Sequence, residues 1–152
     1  MAISQQKLRE IVFQLLFSQN FSSSEEDEIA SFMMHQLLVT KKVLKEAQAK
    51  CKEISSKLEE IDSLVVRYCD SYEFKRIAEV EKSILRLAIY ELCYVDSLPP
   101  KVTIAEAIRL TRKFATAESA GFVNAVLDAI LQSQPNLIES EKENESLIPV
   151  SV

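Results

Sequence analysis

Few side chains in this sequence are of the types and spacing that catalysis or metal binding requires. The single histidine, His35, has no metal-ligand residues at matching spacing, so a surface or packing role is favoured over catalysis. Arg86 and Glu91 interrupt an apolar segment, but five residues do not place two side chains on one helix face. Each is expected to form a structural ion pair with a neighbouring helix. The sequence therefore predicts a protein that is not an enzyme and needs no metal or cofactor.

The number and spacing of the cysteines and glycines indicate which kinds of site and which fold class the protein can have. Cys51, Cys69 and Cys93 are odd in number and widely spaced, which favours reduced thiols used in packing over disulfides or a zinc site. Gly121 is the only glycine, and this excludes the glycine-rich loops whose backbone approaches the phosphates of nucleotides. Sheet proteins of this size usually need several glycine-bearing turns. The prediction is an all-α fold.

Composition and charge fit one globular domain that could touch nucleic acid. The chain has 152 residues, of which 47% are hydrophobic, and these can form one core. The net charge of −5 comes from two acidic segments, residues 25–28 and 139–145, while 101–113 has an excess of basic residues. An acidic total therefore does not exclude a nucleic-acid surface. No signal peptide or run of about 18 apolar residues is present, so a cytoplasmic protein is expected.

Apolar residues recur at helical spacing along most of the chain. The first predicted helix covers 4–19 with Ser4 as its N-cap, and the second runs from about Glu25 to Leu38. The apolar spacing continues from Ala47 to Tyr68, where the pair Asp62–Ser63 offers a new cap and should separate two helices. The first of these two carries a run of lysines. Such a run is more often a solvated helix face than an RNA surface, so we favour the solvated face.

The second half of the chain predicts a central helix followed by two more. Residues 78–94 are apolar nearly all round, which is typical of a helix at the centre of a fold. Pro99 and Pro100 end the connection that follows, because neither can donate an interior helix hydrogen bond. Thr103 is then expected to cap a helix that reaches Phe114.

The end of the chain divides into a last helix and a tail. Thr116 or Ser119 is expected to cap a helix through about Leu131. The residues beyond it are polar, acidic and without helical spacing. We predict a helical RNA-binding domain over 1–133 and a flexible acidic tail over 134–152.

The second half of the chain contains, in order, the helix ILRLAIYEL, a proline-containing connection, the helix KVTIAEAIRL and the segment FVNAVLD. In their order and spacing these segments resemble the NusB family. The N-terminal LREIVFQLLFSQ is similar to the family's first helix. The resemblance implies an all-α fold of about seven helices in two packed three-helix-like bundles.

The resemblance also implies a function and its residues. Family members hold the boxA element of nascent RNA jointly with the ribosomal protein NusE, in the RNA polymerase antitermination complex, notably on ribosomal RNA operons. The RNA-binding positions carried over are Lys7, Arg9, Glu118, Ser119, Phe122 and Asn124. The partner-binding positions are Phe17 and Glu81. Three features depart from the family pattern: an N-terminus with only two basic residues, phenylalanine in place of tyrosine at Phe17, and Ala125 in place of the glycine after FVN.

Other interpretations remain open at this point. On pattern alone, Phe122 is as well explained as a core residue, and Asn124 as a cap or a bridge between helices. The chain also resembles the RNA-binding domain at the front of some ribosomal RNA cytosine methyltransferases, although it has no cofactor loop. The main alternative is a helical protein-interaction module with weak or no RNA selectivity, which the thinned basic N-terminus permits. A homodimer that buries the RNA surface is compatible with the sequence, but no feature requires one.

Overall fold

The computed structural model describes residues 4–19, 40–69 and 74–133. Within these ranges the chain forms six α-helices, one short 3-10 helix and no strand, which confirms the all-α prediction. The helices are α1 (Gln5–Gln19), α2 (Lys41–Ser56), α3 (Leu58–Tyr68), the 3-10 helix (Phe74–Arg76), α4 (Glu79–Tyr94), α5 (Pro100–Phe114) and α6 (Ala117–Ser133). The helix predicted near 25–38 and the tail predicted over 134–152 lie outside the described residues.

The chain divides into two compact units, Met1–Leu58 and Glu59–Val152. In the first unit α1 packs against α2, because each helix presents apolar residues at three- and four-residue steps. The Cys51 thiol lies at this contact and donates to the Val12 carbonyl oxygen at 3.6 Å. Cys51 and Cys69 are buried free thiols, and Cys93 is partly buried, which agrees with a packing role.

In the second unit α4 is the central helix, as its sequence predicts. It packs against both α5 and α6, and these two also pack against each other. Ile84, Leu85 and Ile89 are completely buried, so apolar residues around most of α4 are covered by neighbours.

A bidentate ion pair joins α3 to α4. Arg86 donates from Nε to Asp62 Oδ1 and from Nη2 to Asp62 Oδ2, both at 2.9 Å. The Tyr94 hydroxyl also donates to the Glu60 carboxylate, and this contact raises the pKa of Tyr94 to about 12. The prediction that Arg86 pairs with a neighbouring helix is confirmed.

The break predicted at Asp62–Ser63 is wrong. The helix ends earlier, at Lys57, whose backbone leaves the helical region at φ −108° and ψ 8° and whose N–H turns back to the Ile54 carbonyl oxygen. Asp62 lies inside α3, where its carboxylate is used by Arg86. The side chain that the pattern assigned to a cap forms a tertiary ion pair instead.

Two predicted caps are confirmed and one is wrong. Ser4 Oγ accepts from the backbone N–H of Lys7 at 3.2 Å, and Thr116 Oγ1 accepts from the N–H of Ser119 at 3.0 Å. Thr103 does not cap α5, which begins at Pro100, where the missing N–H costs nothing. Its buried hydroxyl donates instead to Glu91 Oε2 at 3.2 Å.

Candidate nucleic-acid interface

A cleft in the second unit gathers residues from three separate segments. It has a volume of about 190 Å³ and lies where the 3-10 helix, the start of α4 and the start of α6 come together. Its lining residues are Arg76, Ile77, Glu81, Thr116, Glu118, Ser119 and Phe122. Three of the six predicted RNA-binding residues and one of the two predicted partner-binding residues therefore share one surface.

The first turn of α6 holds its polar side chains in place through its cap. Thr116 accepts from the Ser119 backbone N–H and donates to Ser119 Oγ at 3.1 Å, so the Ser119 hydroxyl is anchored beside the helix start. Glu118 is exposed in the same turn, where a negative charge is favoured by the helix dipole for local reasons alone. The cap thus anchors the Ser119 hydroxyl in the lining of the cleft, beside the exposed Glu118.

Phe122 lies one turn further along α6 and is half-buried. Its neighbour Val123 is completely buried and so forms the true core side of the helix. Phe122 instead lines the cleft, where part of its ring is open to a ligand. Asn124 is exposed but does not line the cleft. Of the two side chains that the pattern leaves undecided, only Phe122 belongs to this surface.

Glu81 lies in the first turn of α4 and faces the cleft. Burial raises the pKa of its carboxyl above the ordinary value, although a hydrogen bond with the Ala78 backbone acts in the opposite direction. This bond follows the capping-box pattern, in which the third helical residue reaches back to the cap N–H. The carboxylate is therefore held in place but costs free energy to keep ionised.

The cleft is better suited to a hydrogen-bond donor or a cation than to a phosphate. It contains two carboxylates, Glu81 and Glu118, against the single guanidinium of Arg76. Carboxylates accept hydrogen bonds from the amino groups of bases or from basic side chains, and they repel phosphate. Together with the Phe122 ring, they fit the edge and face of an unpaired base, or the basic side chain of a protein partner.

Replacing Glu81 with glutamine is expected to stabilise the protein at pH 7. The folded state binds a proton at Glu81 more tightly than the unfolded chain, whose carboxyl titrates near 4.5, so wild-type stability falls as the pH rises from that value. Glutamine keeps the hydrogen bond to Ala78 without the charge. Urea unfolding followed by circular dichroism should therefore show a stability advantage at pH 7 that disappears below about pH 4.5.

Glu118→Gln is the matched control, because it removes a carboxylate from the first turn of the other helix that lines the cleft. It is expected to lower stability slightly through loss of a favourable helix-dipole interaction. A Glu81→Gln protein that is less stable than the wild type at pH 7, by a margin that grows with pH, would contradict the assigned effect of burial.

The remaining predicted residues lie on α1, in the first unit. Lys7 is half-buried, whereas Arg9 is only 7% exposed. Phe17 is half-buried, and its ring lies 6.2 Å from that of Phe13. In this conformation Lys7 offers more of its surface to a phosphate than Arg9 does.

Sequence reasoning missed two residues of the cleft. Arg76 and Ile77 come from the segment FKRIA, which precedes α4 and carries no helical spacing of its own. The adjacent basic residues Lys75 and Arg76 are the signal that could have indicated this part of the cleft.

Within the described ranges, no group of three or more histidine, cysteine or acidic residues could hold a metal ion. No helix in those ranges is both long enough and apolar enough to cross a membrane.

Comparison with known proteins identifies the family to which the chain belongs. The model of the NusB family matches residues 6–132. The transcription antitermination protein NusB of Chloroherpeton thalassium is 32% identical over 130 residues, which are 85% of this chain. The chain spans 62% of the length of that relative.

Solved structures agree with the fold. The NusB structure from T. maritima is 30% identical and superimposes with a TM-score of 0.78, covering 91% of this chain and 99% of the other. A structure of the antitermination factors NusB and NusE in complex with double-stranded RNA gives a TM-score of 0.73, covering 86% of this chain and 97% of that one. At 24% identity, this second match shows the fold alone.

Proposed function

The chain belongs to the NusB family, and from this we propose that it is a transcription antitermination factor that binds boxA RNA together with the ribosomal protein NusE. The RNA is the nascent transcript of ribosomal RNA operons, and the assembly acts on RNA polymerase in the cytoplasm. The observation that carries the proposal is the cleft of the second unit, where Phe122, Ser119 and Glu118 lie together with Glu81.

Each proposed RNA-binding residue has a distinct role. The Phe122 ring stacks on an unpaired base, since every base has a face on which an aromatic ring can stack. Ser119 and Glu118 hydrogen-bond base edges from the mouth of the cleft, and Asn124 bonds a base or sugar hydroxyl beside it. Lys7 and Arg9 neutralise phosphates, with Lys7 the larger contributor because Arg9 is buried.

The proposed contacts with NusE use Glu81 and Phe17. Glu81 is suited to a basic side chain of the partner, because a cation would recover the free energy that burial of its carboxylate costs. The complex of a NusB with NusE and double-stranded RNA supports this choice of partners by analogy of fold. This role is one of assembly, so no catalytic residue is proposed.

A second candidate is a helical protein-interaction module with weak or no RNA selectivity. The burial of Arg9 favours it, because only Lys7 then remains of the N-terminal basic residues to attract phosphate. The acidic balance of the cleft fits a basic protein partner as well as a base.

Fluorescence anisotropy with a labelled boxA RNA separates the two functions. The protein is titrated at low and moderate salt, with and without NusE, against boxA RNA and a scrambled RNA of the same length. We expect binding that prefers boxA and is tightened by NusE. A protein that binds NusE but has equal affinity for both RNAs under every condition would contradict the proposed function. The protein-interaction module would then be the remaining function.

A further inference from the structure

An exposed side of α2 carries a line of lysines. At 3.6 residues per turn, Lys41, Lys45 and Lys52 fall within about 40° of one another around the helix, and they extend about 16 Å along it. We call these three residues the lysine stripe. All three are exposed, whereas the buried residues of α2, among them Leu44 and Cys51, centre about 120° away around the helix.

The lysine stripe is not neutralised by its own helix. None of its members has a carboxylate three or four residues away, and within the described parts of the chain none has an ion-pair partner. The two glutamates of α2, Glu46 and Glu53, lie on a different side. They are spaced to pair with the remaining lysines, since Glu46 is four residues from Lys50 and Glu53 is four residues from Lys57.

Local stability does not account for the lysine stripe. Lys41 lies in the first turn of α2, where the helix dipole disfavours a positive charge and no acidic residue is present to compensate. Lys41 and Lys45 are four residues apart and repel each other. A solvated helix face would be more stable with glutamate at either position. At Lys41 and Lys45 the charge is therefore placed where it weakens the helix, and it remains available to an anion.

We propose that the lysine stripe binds the phosphate backbone of single-stranded RNA, outside the base-recognising cleft. The inference deepens the proposed function and rests on it for the choice of RNA as the anion. Binding RNA requires phosphates to be neutralised, and the cleft, with two carboxylates and one arginine, is unsuited to this. Because phosphate contacts carry no sequence information, the lysine stripe adds affinity and salt dependence without adding selectivity.

Two double variants test the lysine stripe on the full chain. K45Q/K52Q removes two of its lysines. K50Q/K57Q removes two lysines with the same seven-residue spacing, one about 150° around α2 from the lysine stripe and the other at the C-cap of the helix. Both variants remove the same charge, and glutamine has nearly the helix propensity of lysine, so circular dichroism should show equal folding. The probe is a labelled uridine 20-mer, which contains no boxA element, titrated between 50 and 200 mM salt.

For a single strand, log affinity falls with log salt, and each phosphate that a lysine no longer neutralises makes this slope shallower by about 0.7. K45Q/K52Q should therefore reduce the slope by about 1.4, so that raising the salt from 50 to 200 mM costs it about sevenfold less affinity than the wild type. K50Q/K57Q should change the slope by less than half as much. An unchanged slope in K45Q/K52Q, an equal change in both variants, or a wild type that does not bind the 20-mer would overturn the lysine stripe. If the two double variants change the slope as expected but the wild type shows no preference for boxA RNA, the proposed function alone would be overturned.

Discussion

Replacing Phe122 with alanine is expected to weaken boxA RNA binding by about 5- to 160-fold. Stacking of one base on an aromatic side chain is worth about 1–3 kcal/mol by alanine substitution. Phe122 lines the cleft with a half-buried ring, beside the anchored hydroxyl of Ser119, so a base that enters the cleft meets both its stacking face and a hydrogen-bonding group. The measurement is the anisotropy titration of boxA RNA in the presence of NusE.

Phe122→Leu distinguishes stacking from packing. Leucine retains most of the apolar contact with α6 neighbours but has no ring, so it should preserve stability while still reducing the affinity by most of the alanine effect. Binding of NusE alone should be unchanged in both variants. If Phe122→Leu binds boxA RNA as tightly as the wild type, the side chain acts through packing, and the stacking role assigned to it is wrong.

The caps that the sequence predicts correctly are those whose partners are close in the chain. Ser4 and Thr116 each accept from the backbone three residues further on, so the capping pattern contains both the donor and the acceptor. The apolar residues of α4 are similarly informative, because their spacing places them nearly all round the helix, which is typical of a helix at the centre of a fold. Local information is sufficient for these elements.

Asp62 and Thr103 show the opposite case. Both are short polar residues at plausible helix starts, and both fit the pattern of a cap. Their actual partners are Arg86, 24 residues away, and Glu91, 12 residues away. A buried or half-buried tertiary bond outweighs a cap on a solvated helix end, and a local pattern cannot indicate which competing partner is present.

The candidate site is only partly accessible to sequence reasoning. The resemblance identifies Phe122 and Glu81 as members of two separate sets, one for RNA and one for a protein partner. Their meeting in one cleft depends on the packing of α4 against α6, which brings together residues 41 positions apart. The resemblance also assigns Arg9 to phosphate binding, but a broad arc of α1 that includes Arg9 and Glu10 is buried.

The predicted RNA-binding and partner-binding residues that share the cleft are close enough to interact electrostatically. A partner that places a basic side chain on Glu81 would reduce the negative potential that Glu81 and Glu118 create at the cleft. RNA approaching Phe122 would then meet less repulsion of its phosphates. Under the proposed function, a basic partner would therefore tighten RNA binding through electrostatics alone.

Removing the carboxylate of Asp62 from its ion pair with Arg86 is expected to lower the free energy of unfolding by about 2–3 kcal/mol. Both side chains are mostly buried, with 14% and 23% of their surfaces exposed, and their two hydrogen bonds are parallel. Asp62→Ala should cost this amount, because it leaves a guanidinium with little access to water and without its carboxylate. Urea unfolding measured by circular dichroism gives the value directly.

A double-mutant cycle shows whether the cost belongs to the pair. Arg86→Met removes the charge while keeping the length of the side chain, so the double variant D62A/R86M should be more stable than Asp62→Ala alone, since no unpaired charge remains buried. Arg67→Met, an exposed change on the same helix as Asp62, should stay within about 0.5 kcal/mol of the wild type. If the two single variants were additive, α3 would be held by its apolar contacts through Ile61 and Val65, and the ion pair would be incidental to the fold.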